Sequence, residues 1–348
     1  MSEPVRRVSR SWHLDGIADP PNASVLGTPA RRAGSLRRTS HLTASWPDGR
    51  DGPEHLTGRA RDLVTSLDGN LSVRAEEELA LALDRTLAIT SATARPERDG
   101  VQRLIGVNAL RGFRASVESA LPDERRGVTP LALLLDDVST VSMIGGIAWS
   151  QRPNESTAGE ESSVEDANSF LRSQGSNVAC SGFRRNGYYR QSLEKVIMFP
   201  HWFRSAAELE IDDEWAWHDI EPAAEVCFRR RRRIDTWSTG DSIAVDSHYR
   251  DSVWGPAHDE IALHEYSLTA TIDSASHALS SIAVTANVLP FPECPSAAQQ
   301  VKDLVGLDVI GLRAGVHREL PGTLGCTHLN DMLRGLSDVP ALVGIIGQ

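Results

Sequence analysis

The sequence predicts an α+β fold: antiparallel hairpins with short helices packed on one face, arranged as two units along the chain. Three observations carry that expectation. Apolar residues alternate at period two around Asp-Gly turns before residue 100, clean alternation returns after residue 260, and segments of helical period follow both blocks.

The first block begins near Arg38. RTSHLTASWPDG ends in a turn-forming Pro-Asp-Gly, and DLVTSLDGNLSV is punctuated by a second Asp-Gly, the signature of tight hairpin loops. ELALALDRTLAITSATARP continues with Leu, Ile and Thr at period two, although its Glu-, Ala- and Leu-rich first half is equally compatible with helix. GFRASVESALP presents Phe113, Val117, Ala120 and Leu121 on one side and stops at Pro122, as a short amphipathic helix does. TPLALLLDDV reads as another helix, with Thr129 as N-cap and Pro130 at the first helical position.

Residues 151 to 177 (QRPNESTAGEESSVEDANSFLRSQGSN) are polar, acidic and nearly free of large apolar side chains, the composition of a linker or solvated insertion. The expected organisation is therefore a flexible basic tail over 1–34, an N-terminal β-rich domain with two short helices over 35–150, an acidic linker over 151–177, and a C-terminal α+β domain over 178–348. VACSGFRRNGYYR opens that last unit as a strand and turn, and FRRRRRIDTW follows a Trp-rich acidic stretch. Five consecutive arginines suit a phosphate-bearing ligand such as a nucleotide or coenzyme A, because a guanidinium fork matches phosphate oxygens. The plainer reading is a solvated run that pairs with nearby carboxylates.

In LHEYSLTATID, His264, Tyr266, Leu268, Ala270 and Ile272 share one face, and SIAVTANVL pairs with it as a half-buried hairpin. PECPSAAQQVKDLVGL then places Cys294 at a helix N-cap and Pro295 at the first helical position, with Gly306 as the stop. GTLGCTHLNDML repeats the arrangement: Leu329, Met332, Leu333 and Leu336 form a helical stripe, Thr327 is the expected N-cap, and Cys326 stands just before it.

Bulk composition narrows the function classes. A net charge of -11 argues against nucleic-acid binding, since phosphate neutralisation needs a concentrated basic face. The apolar runs are shorter than the roughly 20 residues of a membrane span, so no membrane insertion is expected. The arginine-rich start lacks the apolar middle of a secretory signal, and four cysteines are too sparse for a disulfide framework. A cytoplasmic location follows as the expectation.

Two of the four cysteines sit at helix starts, where unpaired N–H groups favour thiolate, the form that binds metal or attacks an electrophile. Free cysteine is also among the most buried residue types, so packing competes with both roles. Cys326 and His328 would lie about 200° apart on a helix, and only the turn before it lets them converge. Trp217, His218 and Asp219 are read as packing, because sequence neighbours rarely face one another and no nucleophile accompanies them. No phosphate loop, Gly-x-Ser-x-Gly elbow or His-Glu-x-x-His helix is present.

The motifs VLPFPECPSAA, LVGL and GTLGCTHLNDMLRGLSDV, with HEYSLTATID, RRTS, WPDG and GRARDL ahead of them, resemble an uncharacterised bacterial domain-of-unknown-function family from about residue 35 onward, with Cys-Thr-His-Leu as its most specific part. A more distant likeness is to iron-sulfur cluster assembly scaffolds, in the order of hairpin, Cys at a helix start, Gly-ended helix and second Cys at a helix start. By position, that likeness implies ligands at His264, Cys294 and Cys326, with Glu265 or His328 completing the set. It departs where His264 replaces a cysteine and Gly325 stands in place of the scaffold histidine. Zinc or iron suits a His/Cys/Cys site with an open position. The expected function is metal binding through His264, Cys294, Cys326 and His328, with enzymatic action on a small-molecule substrate. The alternatives are a metal or iron-sulfur carrier, or a protein whose cysteines only pack.

Overall fold

In the computed structural model, which describes residues 23–151, 180–183, 204–211, 213–255 and 257–347, the alternating segments pair into one antiparallel sheet of nine strands. The strands are β1 (Ser35–Ser45), β2 (Glu54–Thr65), β3 (Leu71–Leu83), β4 (Ile89–Arg95), β5 (Arg204–Ser205), β6 (Cys227–Thr239), β7 (Ser242–Trp254), β8 (Glu260–Asp273) and β9 (Leu279–Val288). Their spatial order is β4-β3-β2-β1-β6-β7-β8, and both β5 and β9 pair with the outer edge of β8. The expected units at 35–150 and 178–348 thus meet through the antiparallel pairing of β1 with β6 in a single sheet. Residues 1–22 of the expected tail and 152–177 of the expected linker lie outside the described residues.

The helices are α1 (Phe113–Ala120), α2 (Pro122–Gly127), α3 (Pro130–Ile144), α4 (Pro295–Gln300), α5 (Val309–Glu319), α6 (Thr327–Arg334) and α7 (Val339–Ile346). Most of the buried apolar residues form two clusters between helices and sheet. One joins Leu42, Leu56 and Leu81 to Phe113, Leu134 and Val138, and the other joins Tyr249, Tyr266 and Leu268 to Val316, Leu329 and Leu333. Each such side chain contributes about 1.5–3 kcal/mol by leaving water. At α3, Thr129 is the N-cap as expected, its hydroxyl accepting from the Ala132 N–H at 3.2 Å. Among the described residues, the helical stretch Pro130–Trp149 is long and apolar enough to cross a membrane, and 72% of its apolar window is buried inside the fold, as in a core helix.

The arginine run is not a solvated face. It is the middle of β6, and Arg229, Arg230, Arg231, Arg232 and Arg233 are all buried. Strand alternation sends Arg230 and Arg232 to the helix side, where Asp137 accepts from both, at 3.1 and 2.9 Å. Arg229, Arg231 and Arg233 project to the opposite face, where Arg229 donates to the Glu221 carbonyl, Arg231 pairs with Glu210, and Arg233 pairs with Asp235 and Asp246.

The two halves repeat one plan. Asp84 and Asp273 each tie the β-turn that follows them, Leu87 and His277 both take positive φ there (61° and 57°), and the bridges Ala88↔Asn108 and Ala278↔Asp308 are equivalent. Gly106 (φ 85°) and Gly306 (φ 91°) then turn the chain into the helical region. Arg38 holds Asp62 bidentately at 2.6 Å, as Arg230 holds Asp251 at 2.8 and 3.1 Å, and in each half a bulge follows directly after the aspartate.

Candidate functional site

The site lies on the helix face of β7 and β8, under the start of α6. Arg250 pairs with Glu265 and Asp251 with His264 across β7 and β8, after which Ser252 pairs with Ala262. The displaced residue is Leu263, a bulge that re-aims the side chains beside it. On the outer edge of β8 the register pairs stop at Ala262 with β5 and resume at Glu265 with β9, which leaves His264 in the gap.

α6 supplies the remaining groups. Cys326, not Thr327, is the N-cap; its extended backbone (φ −135°, ψ 131°) is the turn that lets Cys326 and His328 converge. Cys326 Sγ lies 3.7 Å from His328 Nδ1 and accepts from the Tyr266 hydroxyl at 3.4 Å. On its other side His328 presents Nε2 to Asp251 Oδ2 at 3.7 Å. The His264 ring stacks on His328 with centroids 3.6 Å apart and planes 17° from parallel. One ligand-type atom from each of Asp251, His264 and His328 falls within 4.8 Å of the other two.

Each of the two histidines has a buried ring nitrogen without a hydrogen-bond partner, Nδ1 in His264 and Nε2 in His328. An orphaned buried imidazole nitrogen carries a desolvation cost that a ligand would relieve. Asp251, by contrast, is fully held. Arg230 grips both oxygens, and the Tyr249 hydroxyl donates to Oδ2 at 2.8 Å. Arg230 Nη1 also reaches Asp137 and Asp331, at 3.1 and 3.0 Å, so β7, α3 and α6 converge on one guanidinium.

The electrostatics keep both imidazoles neutral. Burial, with Arg230 nearby, pushes His328 down to about 3, and burial followed by the neighbouring His328 holds His264 well below the ordinary histidine range. Burial raises the Cys326 thiol, although the Tyr266 hydroxyl and the N–H groups of Leu329 and His328 work against that rise. Cys294 is pushed up strongly by burial and by the nearby Cys180 and Cys326 thiols.

Of the expected ligands, the structure brings His264, His328 and Cys326 together. Cys294 lies in the same apolar cluster as Cys326, near Gly182 and Phe291, and like Cys326 is outside the Asp251, His264 and His328 cluster. Glu265 points to the opposite face, where it accepts from Arg250 at 2.9 Å and pairs with His248 at 2.8 Å. Asp251 was not singled out in the sequence. Its signal is the alternation of SIAVDSHYRDSVW, which puts Tyr249 and Asp251 on the same face as the core.

Residues 228–341 match a family described as a protein of unknown function, DUF2889. The match spans β6 to the first turn of α7, about a third of the chain, and holds every residue of the cluster. Neither the curated proteins nor the solved structures contain a match to the chain.

Two imidazoles and a carboxylate clustered within 4.8 Å form a donor set of the kind that suits zinc or non-haem iron. Neutral ring nitrogens without partners fit an ion, and the Arg230 and Tyr249 contacts to Asp251 resemble the outer hydrogen bonds that orient ligating carboxylates. One feature of the geometry limits the fit: an ion lies near the plane of each imidazole that binds it, and stacked rings share no such point. Loading therefore requires rotation of the His264 side chain, the less buried of the two histidines.

Proposed function

We propose that the protein binds one zinc or iron ion through His264, His328 and Asp251, with Cys326 against the opposite nitrogen of His328, where it orients the ring, and that it acts there on a small molecule. The single observation that supports this reading is the clustering of two buried histidines, each with an unpartnered ring nitrogen, within 4.8 Å of a buried aspartate. In such a site the ion would polarise a carbonyl or activate water. The chain's own groups hold the imidazoles neutral, and Arg230 fixes the carboxylate. The deep setting of Asp251 and His328 favours a retained ion over a carrier's released one.

The test is elemental analysis of untagged protein after reconstitution with zinc or ferrous iron under reducing conditions. About one equivalent is expected in the unaltered chain, lost in His264→Ala and in His328→Ala. A stabilisation of about 2.7 kcal/mol is expected at metal concentrations 100-fold above Kd, because an ion that binds only the folded state adds RT ln(1 + [L]/Kd). Metal content below a tenth of an equivalent in the unaltered chain, or equal content in all three proteins, would overturn the reading. A purely structural role for the other cysteines has its own support: Cys180, Cys227 and Cys294 are buried, and burial raises the Cys227 thiol to about 11.

A further inference from the structure

The sheet face opposite the helices carries a cluster of cations at its centre, with acids such as Glu76, Glu78, Asp246 and Glu265 around it. In register across β2, β1 and β6, Arg59 faces His41 and His41 faces Arg231; one step along, Arg61 faces Thr39 and Thr39 faces Arg233. Arg59 and Arg231 are thus two strand spacings apart, about 10 Å, on either side of a histidine. The net charge of -11 makes this concentration a local feature.

Over that face runs the segment 208–221, which carries Glu208, Glu210, Asp213, Glu214, Asp219 and Glu221. It is pinned at its centre. Trp217 is buried, and His218 sits between Thr39 (2.8 Å to Nδ1) and His41 (2.7 Å to Nε2). Its carboxylates reach the flanking arginines: Glu210 meets Arg231 Nη1 at 3.0 Å, while Glu221 and Asp219 approach Arg59 at 3.5 and 3.8 Å. Those acids keep most of their contact with water, with side-chain exposures of 39, 63 and 100% respectively. The arginines are largely buried and the acids solvated, so the acids can return to water at little cost to themselves.

The guanidinium forks are also only partly used. Arg59 bonds through its Nη atoms to Glu76 and Glu78, Arg61 through Nη2 to the Trp215 carbonyl, and Arg231 through its Nη atoms to Glu210 and Glu260. The Nε of all three is buried without a partner. A phosphate group fills a fork through Nε and Nη2 together, whereas the carboxylates here meet only Nη atoms, Glu78 on Arg59 at 2.9 Å and Glu210 on Arg231 at 3.0 Å.

We propose that this face binds a small polyphosphate-bearing ligand through Arg59, Arg61 and Arg231, and that the acidic segment 208–221 is a tethered competitor lying over the site. The segment stands in for the anion when the ligand is absent, because buried guanidinium groups left bare are costly. A long polyanion is disfavoured by the overall negative charge, so the ligand is a compact one. This site is separate from the His264 cluster, which lies on the other face of the sheet.

The experiment is calorimetric titration of inorganic triphosphate into the full chain and into Glu210→Gln/Asp219→Asn/Glu221→Gln, at two salt concentrations. Each protein is also made in the His328→Ala background, so that metal held at the other site does not register. Binding is expected in both, about tenfold tighter in the neutralised variant, weaker at high salt, and lost in Arg231→Met. Should Arg231→Met fail to fold, Arg59→Gln, at a more exposed position, carries the same comparison. Cleavage of the 208–221 segment by a protease should rise on adding triphosphate. No heat in either protein, equal affinity with and without the acidic side chains, or unchanged binding in the arginine variants would each overturn the proposal.

Discussion

Glu54 illustrates how one residue can set the pH dependence of the whole chain. Its side chain is buried beneath α3 near Gly145 and Ala44, its Oε1 has no partner, and burial alone raises its pKa to about 8. The unfolded chain returns it to the ordinary glutamate value near 4.5. Because the folded value is the higher one, its contribution is fully present below about pH 4.5 and is lost as the pH rises through 8. The size of that loss is on the order of 5 kcal/mol, since each pKa unit corresponds to about 1.4 kcal/mol. Glu54→Gln removes the ionisation while keeping the shape. Denaturant melts at pH 5 and pH 8.5 should show the unaltered chain losing several kcal/mol relative to the variant; parallel behaviour of the two proteins would mean Glu54 finds a partner or water that stabilises its charge.

At the level of elements, the caps and close approaches make similarly specific claims. Thr129 caps α3 and also donates to Glu124 Oε2 at 2.5 Å, so Thr129→Ala should cost about 1–2 kcal/mol of stability, measured as a shift in the urea midpoint at constant slope. Gly58 lets β1 and β2 pass under α3: a Cβ there would stand 2.5 Å from the His41 carbonyl oxygen and 3.2 Å from Leu134. Gly58→Ala should therefore destabilise far more than an exposed strand glycine would, and a change below 0.5 kcal/mol, the range of ordinary surface substitutions, would contradict that packing.

These elements also show which parts were legible. The hairpins at Trp46–Gly52 and Ser66–Gly69 and the cap at Thr129 were readable because turn chemistry and alternation are local in sequence. His264 and His328 were readable as candidates because one sat on an apolar face and the other at a helix start. β6 was not readable as a buried strand, since its arginines are neutralised by acids such as Asp137, 93 and 95 residues away. Asp251 was hidden for the same reason: only the register with His264 and the bulge at Leu263 reveal its neighbours.

At the scale of the whole molecule, the repeated plan explains why charge is buried at the seam. Arg38 of the first half reaches Asp338 of the second at 3.8 Å, and Arg230 of the second half reaches Asp137 of the first at 3.1 Å. Each half's arginine also closes a fork on its own aspartate, Asp62 or Asp251. The resemblance between VQRLIGV at Val101 and VKDLVGL at Val301 marks the same repeat in the sequence. Removing one guanidinium strands acids from both halves. Arg230→Met leaves Asp137, Asp251 and Asp331 buried without their shared cation, a loss that typically costs 3–5 kcal/mol. Arg230→Lys should recover little, because an ammonium group cannot replace a fork that serves three carboxylates. Since β1–β6 pairing makes the sheet continuous, the unaltered chain should melt in one calorimetric transition whose van't Hoff and calorimetric enthalpies agree, and Arg230→Met should lower that transition as a whole. Two separable transitions, with only the second moved by the substitution, would mean that the halves fold as independent bodies and that the ion pairs across the seam contribute nothing measurable.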